Sequence, residues 1–297
     1  MIQFITDTLF RTADLALIAL GLSLVYGLVK FPNITFLQYG MVGAFFSALF
    51  IQLGVPVLPA LLLASLLCGG LAVALHHWVF ASLAKSGAAN AMIGSFALSM
   101  VIVAVVLGIA GSSPMIYSIE LSPIIELGDV RMSQYQLWTT LVTIAVIVLF
   151  AVMLFQTSLG RAIRVLASNQ DLAAASGINP NKIVPIVNLI AGSMAGLGGA
   201  LLGVNSSAYI NQGNDLLLPV LTAAILGGLG NPIGAVFGAL IIAATETLAT
   251  NIDFGSFISD MPLYIPITYI NAISFVVLLI TLIAKPYGLF NKEVHRV

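Results

Sequence analysis

Charge is what this sequence has least of. Among 297 residues there are ten Lys and Arg and eleven Asp and Glu, 7% of the chain. A soluble domain carries about 25% charged residues, so this chain cannot build a water-facing surface. Its formal net charge of −1 supplies no basic patch to neutralise phosphates, and nucleic acid is excluded as a partner. Cysteine is nearly absent. Cys68, the one cysteine, lies inside an apolar run, which leaves neither a disulfide framework nor a cysteine zinc site. His76 and His77 are neighbours in sequence and point to different faces of a straight helix, so they cannot chelate one metal together. No metal site is expected. The nearest approach to a phosphate-binding loop, Gly177 to Ile183, lacks the second glycine and the hydroxyl of that motif. ATP is therefore expected to be handled by another chain. Neither paired carboxylates nor a Ser/His/Asp set suits the spans to hydrolysis.

What is there is apolar residue in long runs. Hydrophobic residues make up 60% of the chain, and the mean hydropathy is +1.11. Residues 31–84, 86–119, 132–160, 183–214, 216–245 and 261–284 contain no Asp, Glu, Lys or Arg. A helix rising about 1.5 Å per residue needs about 20 apolar residues to cross ~30 Å of hydrocarbon. The first run is thus two spans, divided near Gly54-Val55-Pro56 and Pro59. Spans are expected near 13–30, 35–53, 57–80, 90–110, 136–155, 184–204, 217–229, 233–250 and 265–284. The fold class is an all-α integral membrane protein of eight or nine transmembrane helices, in a single domain over 1–297.

Basic residues orient such a bundle. Lys30, Lys85, Arg161, Arg164, Lys182, Lys285, Lys292 and Arg296 fall at turns on one side, and Arg11 and Arg131 on the other. The C-terminus is expected in the cytoplasm, with the N-terminus outside and the first span uncleaved. Glu120, Glu126, Asp129, Asp253 and Asp260 then face outward.

Two spans are broken. Leu217 to Leu226 gives ten residues before Gly227-Gly228-Leu229-Gly230-Asn231-Pro232, enough for about half the membrane. The other break is Phe31-Pro32-Asn33-Ile34-Thr35, just after Lys30. Gly43 to Leu49 and Gly234 to Leu240, which follow the two breaks, match at five of seven positions. An internal repeat of the kind found in transporters and a chance match of Gly/Ala-rich helices both remain open. The stretch Gly192 to Ala200 has small residues four apart at 192/196, 195/199 and 196/200, a spacing that lets helices pack closely. Glu246 is the one acid deep in an apolar run. It is either a structural hydrogen-bonding group or a path-lining charge able to meet a substrate ammonium.

The longest polar segment, 156–182, reads as two short helices, near 160–167 and 170–176. Ser168 and Asp171 have the spacing of a capping box, Gly177 suits the position after a helix end, and Pro180 stops continuation. By residues alone it is equally a docking knob for a soluble partner and an amphipathic connector anchored by Arg161 and Arg164.

The string Gly160-Arg161-Ala162-x-Arg164, followed by Asp171, Ala174 and Gly177-Ile178-Asn179, resembles the cytoplasmic coupling loop of LivH-type permeases of branched-chain amino-acid ABC importers. The similarity continues along the chain. Ala19 to Gly27 looks like that family's first span, and Ile93 to Ser99 like its fourth. Ala223 to Gly230 looks like its half-helix, and Pro286-x-Gly288-Leu289 like its C-terminal end. The resemblance implies one permease of an importer in the bacterial inner membrane. Its partners would be a second LivH- or LivM-like permease, two cytoplasmic ATPase subunits and a periplasmic substrate-binding protein. No cofactor is expected in this chain, since the partners use the ATP. Arg161, Arg164, Asp171, Ala174 and Gly177 would then form the ATPase coupling loop. Asn33, Gln38, Ser99 and Glu246 are the expected substrate-path residues. One departure stands out. Where the family shows a pattern like Asn-Phe-Ala-His-Gly-Glu, this chain has Asn33-Ile34-Thr35-Phe36-Leu37-Gln38, so urea, short amides or other small polar solutes compete with amino acids. An ion-coupled carrier and a scaffolding membrane subunit are the readings from other classes.

Overall fold

The computed structural model describes residues 2–119, 123–127, 130–252, 264–266, 269–285 and 288–290. Glu120, Asp129, Asp253, Asp260, Pro286, Lys292 and Arg296 lie outside the described residues.

Every expected span is a helix: α1 Ile2–Val29, α2 Thr35–Gln52, α3 Val57–Leu75, α4 Ala88–Ala110 and α5 Gln134–Gln156, then α8 Pro180–Asn205, α10 Leu217–Gly227, α11 Pro232–Asn251 and α12 Ile270–Ala284. Between them lie the short helices α6 Ser158–Ser168, α7 Gln170–Ala175 and α9 Gln212–Asp215. Among the described residues, seven helices are long and apolar enough to cross a membrane, with α3 continuing to Ser86. That continuation runs through a π-helical turn, His76–Phe80, which carries the two histidines and the exposed Trp78 to the Lys85 end.

Polar breaks set the helix starts. The Asn179 and Asn231 side chains accept hydrogen bonds from the Asn181 and Gly234 amides, and Pro180 and Pro232 follow at the first helical position. An asparagine cap with proline next to it satisfies one stray N–H and omits another. Pro180 thus starts α8 as well as ending what precedes it.

The buried helix α8 forms the axis of the bundle, packed on α1, α2 and α3, while α11 lies along α1 and α10. Small residues make this possible. A methyl added to Gly199 would overlap the Gly40 carbonyl of α2, and one on Gly43 would overlap Gly196. Gly192 and Gly196 face Ala72 and Cys68 of α3, so the expected glycine stripe serves two neighbours at once. The two matching strings also do similar work: Gly43 meets Gly196, and Gly234 meets Gly227. Gly43 lies well inside α2, whereas Gly234 is in the first turn of α11.

Helix α1 is a ruler for depth. Arg11 and Gly27 are separated by sixteen residues, or about 24 Å of rise. Near Gly27 lie Lys30, Ala167 and Gly230. At the opposite end Gln3 holds both backbone groups of Arg131. That residue belongs to an antiparallel hairpin, β1 Ile124–Leu127 with β2 Val130–Ser133. The sequence reading had no strands here. The Glu126–Arg131 pair across the hairpin, at 3.2 Å, is mostly exposed and adds little to stability.

Candidate functional site

Three polar constellations interrupt the apolar bundle. The first is the break before α2. Asn33 is 3% exposed, and its side-chain oxygen accepts the Thr35 amide at 3.2 Å. The Thr35 hydroxyl donates to the Ser95 carbonyl of α4 at 2.9 Å, while the Ser95 hydroxyl accepts the Ile34 amide at 3.2 Å. Irregular backbone at membrane depth persists when protein groups satisfy it, and this segment meets that condition. Ser99 is buried one turn beyond Ser95 and donates to Phe96 of its own helix.

The second constellation joins the start of α2 and the body of α8 to α9. Gln38, 1% exposed, donates to the Asn214 side chain at 3.0 Å. Gln212 donates to the Gly199 carbonyl at 3.0 Å. Gly199 stands six residues before the end of α8, about 9 Å along its axis. The connection after α8 therefore turns back into the bundle. Helix α10 starts there and ends at Gly227, three residues before Gly230, which lies against Gly27. It crosses only part of the bundle, and Leu226 at its far end accepts the Leu289 amide at 2.8 Å. The oxygens of Gln38 and Gln212 are buried without a hydrogen-bond partner among the described residues.

Glu246 builds the third. Its two oxygens accept from Arg11 Nε at 2.7 Å and from the Ser274 hydroxyl. It is 1% exposed and joins α1, α11 and α12. Asp14 follows Arg11 by three residues, within its electrostatic reach. Glu246 therefore does not share a cavity with Asn33 and Gln38. Those two residues belong to the α2 break, and Glu246 to the tie between α1, α11 and α12. Sequence reasoning did not find Arg11 as its partner. The signal was a lone cation one-third of the way along an apolar helix, but nothing local linked it to position 246.

At the Lys30 end, α6 and α7 form a compact unit. Helix α6 buries Gly160, Ile163 and Leu166. The Lys30 ammonium donates to the Ala167 carbonyl at 2.7 Å, and Gln170 donates to the Leu28 carbonyl at 2.6 Å. Burial holds the Lys30 ammonium below the ordinary lysine range. The Arg164 guanidinium donates to the Leu154 carbonyl and lies 5.4 Å from the Phe155 ring centre, so it secures the turn from α5. Asn169 caps α7, accepting from the amides of Asp171 and Leu172. This corrects the expected cap at Ser168, which is the last residue of α6. A side-chain amide one residue later reaches the same free N–H groups. Gly177 has φ +82°, the left-handed position after a helix end. Arg161, Asp171 and Ala174 are exposed, and Val165 and Leu172 are 41% and 64% exposed.

Comparison with known proteins places this architecture. The family described as "Branched-chain amino acid transport system / permease component" matches residues 4–283. The chain is 27% identical to a probable branched-chain amino acid transport permease protein LivH of Methanocaldococcus jannaschii, over 93% of this chain and 88% of that one. It is 25% identical to the high-affinity branched-chain amino acid transport system permease protein LivH of Salmonella typhimurium, over 95% of this chain and 93% of that one. Among solved structures, PsaBC from Streptococcus pneumoniae in complex with Fab aligns with 94% of this chain and 91% of its own, at 14% identity and a TM-score of 0.48.

Proposed function

The chain belongs to the permease-component family of branched-chain amino acid transport systems, and we propose on that premise that it forms half of a transmembrane pathway for aliphatic amino acids in a bacterial inner membrane. One domain carries the whole role. A second permease completes the path, two cytoplasmic ATPases supply the energy, and a soluble binding protein delivers substrate on the outer side. The Lys30 end is cytoplasmic in this reading, supported by the gathering of Lys30, Arg161 and Arg164 there.

The observation that carries the reading is the α6–α7 unit. It is rigidly tied to α1 yet presents exposed Val165, Leu172 and Ala174 beside Asp171. Valine, leucine and alanine left exposed together beyond the end of a span suit contact with a soluble partner. Gln38 and Glu246 act on the path from behind its wall: Gln38 holds Asn214, and Glu246 holds Arg11.

The test is Ala174→Glu in the complete complex reconstituted with its ATPases and binding protein. A charge placed in a packed contact has no water and no partner. Substrate-stimulated ATP hydrolysis and uptake are expected to vanish while the permease accumulates and unfolds as wild type. Stimulation at the wild-type level would refute the docking role.

A further inference from the structure

Beside the Arg11–Glu246 pair, at the end of the bundle away from α6 and α7, lies a cavity of about 400 Å³. Small-molecule sites span about 300–1,000 Å³. Its polar wall is Arg11 of α1, Tyr209, Asp215 of α9 and Asn271 of α12. Leu202, Leu216 and Ile270 complete it. A cation and an anion thus face one small space whose remaining surface is aliphatic.

Each polar group is held in a defined state. Glu246 takes the Nε–H of Arg11 at 2.7 Å and is itself held by Ser274, which fixes the plane of the guanidinium. A guanidinium has about five N–H donors in a rigid fork, so the pair with Glu246 uses one part of it. Burial, with the charge and hydrogen bond of Asp215, pushes the Tyr209 phenol up to about 12, so its one O–H donates to Asp215 and holds that carboxylate at the cavity. Asp215 is exposed and stands at the mouth. Its neighbour Asn214 receives the Gln38 hydrogen bond, so one turn of helix joins the cavity to the α2 break.

We propose that this cavity binds a zwitterionic α-amino acid with an aliphatic side chain. The carboxylate sits on Arg11, the ammonium on Asp215, which Tyr209 positions, and the side chain against Leu202, Leu216 and Ile270. A simple anion leaves Asp215 facing like charge, and a simple cation does the same to Arg11. Urea or a short amide offers no charge to either. The proposal rests on the reading of the chain as an amino-acid permease and assigns the residues that would recognise the substrate on the outer side.

Equilibrium binding of tritiated L-leucine to the permease–ATPase complex in nanodiscs, without the binding protein, tests it. Saturable binding is expected, with 4-methylpentanoate (no ammonium) and 3-methylbutylamine (no carboxylate) each competing about tenfold or more weakly, the effect of one lost charge-assisted contact. Asp215→Asn is expected to weaken leucine by a similar factor of about ten and to bind 4-methylpentanoate as tightly or more tightly, because the like charge is gone. A purely structural Asp215 would move both ligands alike or neither. Wild-type leucine affinity in Asp215→Asn, or no saturable binding by a wild-type complex that hydrolyses ATP, overturns the site. ATP-driven leucine uptake with the binding protein present separates the two claims. Uptake that persists unchanged in Asp215→Asn refutes this site and leaves the permease reading intact. A wild-type complex that moves no amino acid refutes that reading instead.

Discussion

Helices α8 and α4 are both apolar and both long enough to span a bilayer, yet they live in opposite surroundings. The most apolar stretch of α4 has a mean hydropathy of 2.5 and is 11% buried, whereas that of α8 has 1.6 and is 78% buried. The same inversion separates α5, at 2.6 and 28%, from α2, at 1.2 and 78%. In water the greasier segment goes inside. In lipid nothing drives leucine off the lipid surface, and close backbone approach decides which helices meet. The contacts of α8 with α2 and α3 are therefore made by glycine and alanine, while α4 leaves leucine, isoleucine and phenylalanine exposed on its rim.

Substitutions at the two kinds of position test that contrast. Gly199→Leu is expected to have the largest effect, because the added side chain would occupy the Gly40 carbonyl. Overpacking costs about 1–3 kcal/mol or more where backbone must move. Thermal unfolding in detergent should show a large loss, and a wild-type midpoint would contradict the close-contact account. Glu246→Gln comes next. It leaves the Arg11 guanidinium without its counter-charge, and breaking a buried pair costs about 3–5 kcal/mol. Arg11 keeps 26% of its side chain exposed, which brings the expectation down to about 2 kcal/mol through screening. The Arg11→Gln, Glu246→Gln double variant should recover part of that loss, and no recovery would mean the two residues act independently. Ala97→Leu on the exposed face of α4 should change stability by less than about 0.5 kcal/mol. A large loss there would show that α4 is covered in the isolated chain.

Much of this was legible in the sequence because membrane spans announce themselves. Runs with little or no charge marked the spans, and the interval before Gly227 was too short for a full crossing. The resemblance around Gly160 to Asn179 located the α6–α7 unit. What stayed hidden depended on distance along the chain or on competition between neighbouring residues. The hairpin had its signal in Gly128-Asp129 between two four-residue runs, a pairing that reads as a turn between strands, but the acidic residues around it read simply as an outer loop. Ser168 and Asn169 are adjacent capping residues, and only the geometry of the α6 end chooses between them. Glu246 was visible as an anomaly, yet its partner is 235 residues away. The Tyr209–Asp215 side of the cavity lies in a connection with no periodicity to read.

The tie between Arg11 and Glu246 also imposes an order on manufacture. A ribosome adding about 5–20 residues per second needs about 12 to 47 s to make the 235 residues between them. Throughout that interval the first helix is threaded into the bilayer with Arg11 not yet joined to Glu246. Arg11 lies in the first third of α1 and its long side chain can extend toward the headgroups meanwhile, so α1 enters the membrane long before it is locked. Only when α11 and α12 emerge does Glu246, braced by Ser274, draw the guanidinium in. The last helices made thereby fasten the first.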